Sequence, residues 1–175
     1  MEVVHWELPP IGWAILNADG TTKGNPRPAG AGGVTRNDKG EWHGGFSEKL
    51  GRCSSMKAEI RAVLQGLKLA KRLGVRKLWL QLDSIVVTGM LKGTMDWRPE
   101  HTSLLQQCKT LITDSDWEVH ISHCYREANK VTDRLANMGI GIETGIIFYQ
   151  SPPMEIKDVL FADMRSVNWR QHGRF

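Results

Sequence analysis

Trp13-Ala14-Ile15-Leu16-Asn17-Ala18-Asp19 alternates strictly. Trp13, Ile15, Asn17 and Asp19 fall on one side of an extended chain, and Ala14, Leu16 and Ala18 fall on the other. The spacing predicts a strand that ends on an acid. Residues 20–33 are dense in Gly and Pro and read as a turn. Residues 34–35 and 41–48 then read as two strands joined at Asp38, Lys39 and Gly40. Three strands this close in sequence predict an antiparallel meander.

Outward from the meander the period changes. Ser54 or Ser55 can cap a helix in which Ile60, Val63, Leu64 and Leu67 recur on one face and which ends at Gly74. Residues 77–83 place Leu78, Leu80 and Leu82 on one side of a strand, and residues 84–91 read as a short helix leaving its end. Pro99 suits the first turn of a further helix that turns Leu104, Leu105, Cys108, Leu111 and Ile112 inward. Residues 117–123 read as the last strand, and residues 127–138 as a helix with Ala128, Val131, Leu135 and Met138 on one stripe. The order βββαβααβα predicts an α/β fold: a five-stranded mixed sheet with helices on both faces. The expected division is one domain over residues 1–140, with a short lead-in, and a C-terminal extension over residues 141–175. The extension's apolar residues Ile146, Ile147, Phe148, Val159, Leu160 and Phe161 either pack back on the domain or meet a partner.

The chain has 175 residues, 41% hydrophobic and 24% charged, which is ordinary globular usage. A net charge of +4 favours polyanions only mildly and identifies none. Cys53, Cys108 and Cys124 form neither a disulfide framework nor a zinc-ligand spacing. Residues 1–10 lack the apolar core of a signal peptide, and no run is long enough to cross a bilayer, so an intracellular protein without a membrane partner is expected.

Four acids occupy telling places. Asp19 lies near the end of the first strand, Asp83 at another strand's end, Glu59 early in a helix, and Asp133 inside the last helix. Hard divalent ions take oxygen ligands, and carboxylates from separate elements can share them if the first and fourth strands are neighbours. Position alone does not separate such a site from solvated surface acids.

The motif context does. Asp19-Gly20-Thr21 followed by Gly24-Asn25-Pro26, Ala58-Glu59 after Ser54-Ser55, Asp83-Ser84 at a strand end, and His123 and Asn129 ten and four residues before Asp133 resemble, in order, the signatures of the ribonuclease H family. Asn17-Ala18-Asp19-Gly20, Cys53-Ser54, Arg126-Glu127-Ala128-Asn129 and Ser151-Pro152-Pro153 further resemble the plant ribonuclease H-like domains related to the reverse-transcriptase ends of non-LTR retrotransposons.

That resemblance implies a nuclease cutting the RNA strand of RNA/DNA hybrids with two Mg²⁺ ions, Mn²⁺ as substitute, on Asp19, Glu59, Asp83 and Asp133. The products would carry a 5′-phosphate and a 3′-hydroxyl. His123 matches the family's mobile histidine, which assists proton transfer or product release; a structural His at a strand end is the plainer alternative. Gly20 and Thr21 would read the 2′-hydroxyl side of the groove through their backbone. Asn25 and Ser54 would lie near a DNA phosphate, Ser55 would face the groove, and Asn129 would support a ligand or touch a sugar; each also suits turn or cap chemistry. Met56 and Thr132 depart from the family's commoner residues without removing an acid. The short connection over residues 92–100 leaves no room for the basic protrusion of some bacterial relatives, so a linked reverse-transcriptase domain or other partner is an expected aid to binding. Trp97 with Arg98 offers a substitute grip, or Trp97 packs on the core. A binding module without catalysis and a strand transferase on the same fold are the competing readings.

Overall fold

The computed structural model describes residues 5–24, 27–143 and 145–172. The predicted alternation forms β1 (Ala14–Thr22), which buries Ala14, Leu16 and Ala18 in the largest apolar cluster. β2 (Arg27–Arg36) and β3 (Trp42–Cys53) continue it as the expected antiparallel meander, with Asp19 opposite Gly32 and Gly32 opposite Ser47. α1 (Ser55–Arg72) begins where the Ser54 hydroxyl accepts the Lys57 amide at 3.2 Å, and it buries Ile60, Val63, Leu64 and Leu67 as their spacing requires.

β4 (Lys77–Leu82) runs parallel to β1 and leads into α2 (Ile85–Lys92), capped by the Ser84 hydroxyl on the Val87 amide at 3.1 Å. A 3₁₀ turn at Pro99–His101 starts α3 (Thr102–Ile112), which buries Leu105 and Cys108. β5 (Glu118–His123) is parallel to β4. The last helix of the predicted order divides into a 3₁₀ turn at Arg126–Ala128 and α4 (Lys130–Gly141), because Asn129 leaves helical geometry at φ −124° and ψ 27°.

Two expectations give way to packing. Residues 20–33 are not a turn throughout: β1 runs on through Thr22 and β2 starts at Arg27. The glycines of β2 are there for proximity, since a Cβ on Gly32 would lie 2.4 Å from the Ala136 amide nitrogen and one on Gly30 would lie 2.2 Å from the Ala136 carbonyl oxygen. Only bare backbone lets α4 sit this low on the sheet. The sheet also has six strands where five were expected, in the order β5-β4-β1-β2-β3-β6. β6 (Ile146–Tyr149), from the expected extension, pairs antiparallel with β3, Phe148 opposite Phe46.

The extension continues into α5 (Lys157–His172), so its apolar residues divide between packing and exposure. Val159 and Leu160 pack beside fully buried Ile156 against Val131 and Leu135 of α4, while Phe161 is exposed. Asp163 of α5 meets Arg36 of β2 in a buried ion pair at 2.9 Å, and the Trp6 ring lies 4.0 Å from that guanidinium. Trp6 also donates to Asn17 at 3.0 Å, and Asn17 donates to Gln81 at 3.3 Å. Lead-in and extension therefore cover the sheet face opposite α1, where Trp6, Ile15 and Val167 form a further cluster. No helix among the described residues is long and apolar enough to cross a membrane.

Candidate active site

Sheet register makes the first step. Ala18 is level with Leu82 across parallel β1 and β4, so Asp19 and Asp83, each the next residue, stand side by side; Asp83 lies just past the end of β4, but Asp19 does not end its strand as expected, because β1 stays paired with β2 through Thr22. Glu59 arrives from the first turns of α1, and Gly20 sets how near it comes. A Cβ at residue 20 would lie 2.2 Å from the Ala58 carbonyl carbon and 2.3 Å from the Glu59 amide nitrogen, so the helix rests on bare backbone beside Asp19.

The result is a tight acid group. One carboxylate oxygen from each of Asp19, Glu59 and Asp83 lies within 4.8 Å of the others. Asp133, exposed in the first turn of α4, is outside that group, but its charge reaches Asp19. Burial pushes the Asp19 carboxyl up to about 9, helped by Asp83, Glu59 and Asp133 and opposed by Arg126. Glu59 is pushed up to about 7, chiefly by burial and then by Asp83, against a hydrogen bond from the Ser84 hydroxyl and the charge of Arg126. The same surroundings push the Cys124 thiol up to about 12: burial first, then Asp83 and Asp19.

Such a cluster is tolerable only if protons or a cation neutralise it. An all-oxygen donor set this compact suits a hard divalent ion. His123 stands beside it at the end of β5, half-buried, with Nε2 3.2 Å from the Asp83 carbonyl oxygen.

Comparison with known proteins gives the family. Residues 17–139, which include all four acids, match the family model described as reverse transcriptase-like. A ribonuclease H of Polynucleobacter asymbioticus is 33% identical over 72% of this chain and 88% of its own length. The chain belongs to the ribonuclease H family. A protein of Arabidopsis thaliana that carries a ribonuclease H name is 39% identical over 92% of this chain, which spans only 26% of that relative's length. The crystal structure of ribonuclease H1 from Halobacterium salinarum superimposes with a TM-score of 0.70 at 27% identity, covering 74% of this chain and 98% of that one.

Within this ribonuclease H fold the expected substrate residues divide. Gly20 and half-buried Thr21 lie at the end of β1, and exposed Ser55 shares a 3.1 Å hydrogen bond with Thr22. Ser54 spends its hydroxyl as acceptor on the helix cap. Asn25 lies outside the described residues. Asn129 is only 1% exposed, and its amide donates to the Ala18 carbonyl at 3.5 Å; it braces α4 against the strand carrying Asp19, and a sugar contact is closed to it. Thr132 bonds both the carbonyl and the side chain of Asn129. Trp97 packs on the core and donates to the Met90 carbonyl at 2.9 Å, so it is not a free grip.

Sequence reasoning passed over two residues at the site. Ser84, read only as the neighbour of Asp83, caps α2, and its hydroxyl also serves Glu59. Arg126 gave one signal, a cation in the loop between His123 and Asp133.

Proposed function

We propose that this domain is a metal-dependent endonuclease hydrolysing the RNA strand of RNA/DNA hybrids and leaving 5′-phosphate and 3′-hydroxyl ends. One observation carries the reading: the oxygen atoms of Asp19, Glu59 and Asp83 converge from three elements within 4.8 Å, with His123 alongside. Asp19, Glu59, Asp83 and Asp133 would hold two Mg²⁺ ions, with Mn²⁺ as a substitute. Such ions, when bound, supply charge stabilisation at the phosphate and lower the pKa of water.

The protein's own part is positioning. Asp19, fixed by the β1–β4 register, is the buried member of the acid group and would serve as a ligand. Glu59 is held in place by Gly20 beneath it and by Ser84 beside it. His123 can carry a proton to or from the site. Selection of RNA falls to the backbone of Gly20 and Thr21 and to the Ser55 hydroxyl, which face the shallow groove where 2′-hydroxyls lie. Asn25 and Ser54 take the DNA strand's phosphate. A linked reverse-transcriptase domain would be the partner that adds affinity, in keeping with the reverse transcriptase-like family model.

The test is cleavage of a labelled RNA/DNA hybrid in Mg²⁺ beside single-stranded RNA, duplex RNA and duplex DNA, with Asp83→Asn as control. Hybrid-only cutting that disappears in the variant is expected. Cutting of another duplex keeps the site and changes the substrate; binding of hybrid without cutting in Mg²⁺ or Mn²⁺ makes the domain a binding module.

A further inference from the structure

The loop between β5 and α4 presents two side chains that the mechanism leaves unused. Tyr125 is 63% exposed, and its ring meets His123 edge-on, with centroids 5.6 Å apart and planes at 79°. Arg126 is exposed and makes no ion pair with any described carboxylate. Its charge nevertheless reaches both Asp19 and Glu59. A guanidinium beside several carboxylates ordinarily closes onto one of them in a two-point pair.

The backbone that carries it is tied down. The Ala128 amide donates to the Tyr125 carbonyl at 2.9 Å, and the Asn129 amide nitrogen of the main chain donates to the Arg126 carbonyl at 2.9 Å, which fixes the turn. The Asn129 side chain then ties that turn to the Ala18 carbonyl, one residue before Asp19. This hydrogen-bonded loop thus holds an exposed cation with no ion-pair partner among the described carboxylates, and an exposed aromatic ring edge-on to His123, at the rim of the acid cluster. The cation suits a polyanion that enters the site, and Trp97, the other aromatic candidate for a grip, is turned inward.

We propose that Tyr125 and Arg126 form a subsite for the RNA strand beside the carboxylates, Arg126 taking a phosphate through its two-pronged guanidinium and Tyr125 packing on the adjoining ribose. The inference rests on the nuclease reading above. It differs in naming the residues that grip the cut strand.

The full chain and its Arg126→Gln, Arg126→Lys and Tyr125→Ala variants are compared in three measurements: hybrid cleavage across a KCl series, hybrid binding by fluorescence anisotropy in EDTA, and Mn²⁺ binding by calorimetry. Arg126→Gln is expected to raise KM about tenfold or more and to lower the slope of log affinity against log salt by about one. Arg126→Lys restores the salt slope and only part of the affinity, because an ammonium lacks the fork. Tyr125→Ala weakens binding several-fold and leaves the slope unchanged.

If Arg126→Gln alters Mn²⁺ affinity while KM and salt slope stay at wild-type values, Arg126 only tempers the acids and the subsite is overturned. If the wild type cuts no hybrid, the nuclease reading fails, and the EDTA arm still judges the subsite. Weaker, less salt-sensitive binding by Arg126→Gln upholds it; equal binding overturns it.

Discussion

Truncating Asp163 to Ala would leave a charge stranded inside the protein. Arg36 Nη1 donates to Asp163 Oδ2 at 2.9 Å, with the two side chains 1% and 8% exposed. Burial lowers Arg36 from its usual range and raises Asp163, although each partner opposes the other's shift. Desolvation therefore outweighs their attraction, and the intact pair contributes little beyond what an apolar pair would. Removing one partner is different, because the Arg36 guanidinium keeps its desolvation cost and its Nε already lacks a hydrogen-bond partner. The expected loss is about 3–5 kcal/mol. With a urea m-value of about 2 kcal/mol/M, the unfolding midpoint falls by about 1.5–2.5 M. The double variant Arg36→Met with Asp163→Leu should recover most of the loss. Asp158→Ala, which breaks the exposed pair between α5 and Arg134 of α4, should barely move the midpoint. Urea unfolding followed by Trp fluorescence and by far-UV circular dichroism provides the assay. An Asp163→Ala midpoint equal to that of Asp158→Ala, or an α5 that melts before the sheet, would refute the view that residues beyond 140 fold as one unit with the domain.

Two further outcomes follow from the site. Asp19 and Glu59 hold protons in the folded, metal-free protein up to about 9 and about 7, against ordinary values of 3.8 and 4.5. The folded state therefore binds more protons than the unfolded one across that window, and metal-free stability falls as pH rises from about 4 toward 9. Asp19→Asn removes the Asp19 share, so in EDTA the variant should match wild type near pH 4 and exceed it increasingly toward pH 9; a wild-type urea midpoint flat across that range would contradict the shifts. Gly20→Ala places a Cβ 2.2 Å from Ala58 backbone, where no flexible side chain can yield, so α1 must move. The expected cost is about 1–3 kcal/mol with a larger, about hundredfold, loss of cleavage as Glu59 leaves the cluster; thermal melting together with cleavage at a temperature where the variant is folded checks both, and unchanged values would show that the contact is slack.

Much of the site was legible because its signals are local. Alternation at Ala14–Ala18 and the apolar stripe of α1 each follow from one element's own period, and acids at or near the ends of strands can be read without knowing what lies across from them. The same locality explains the misreadings. Gly30 and Gly32 carry a turn signature in composition, yet they are strand residues selected by the nearness of Ala136, more than 100 positions away. Asn129 has the spacing of a residue sharing a face with Asp133, but the 3₁₀ turn before α4 swings its side chain inward to Ala18.

The sequence by itself determined the order of the first five strands and four helices, the faces of the main helices and the choice of candidate acids, since these depend on residue type and short-range periodicity. The tertiary structure alone decided that β4 lies beside β1, that α1 descends onto Gly20, and that the extension supplies a sixth strand and a helix over the second face. Those facts depend on distances between segments remote in the chain, and a periodic pattern in one segment carries no record of the surface that will press against it.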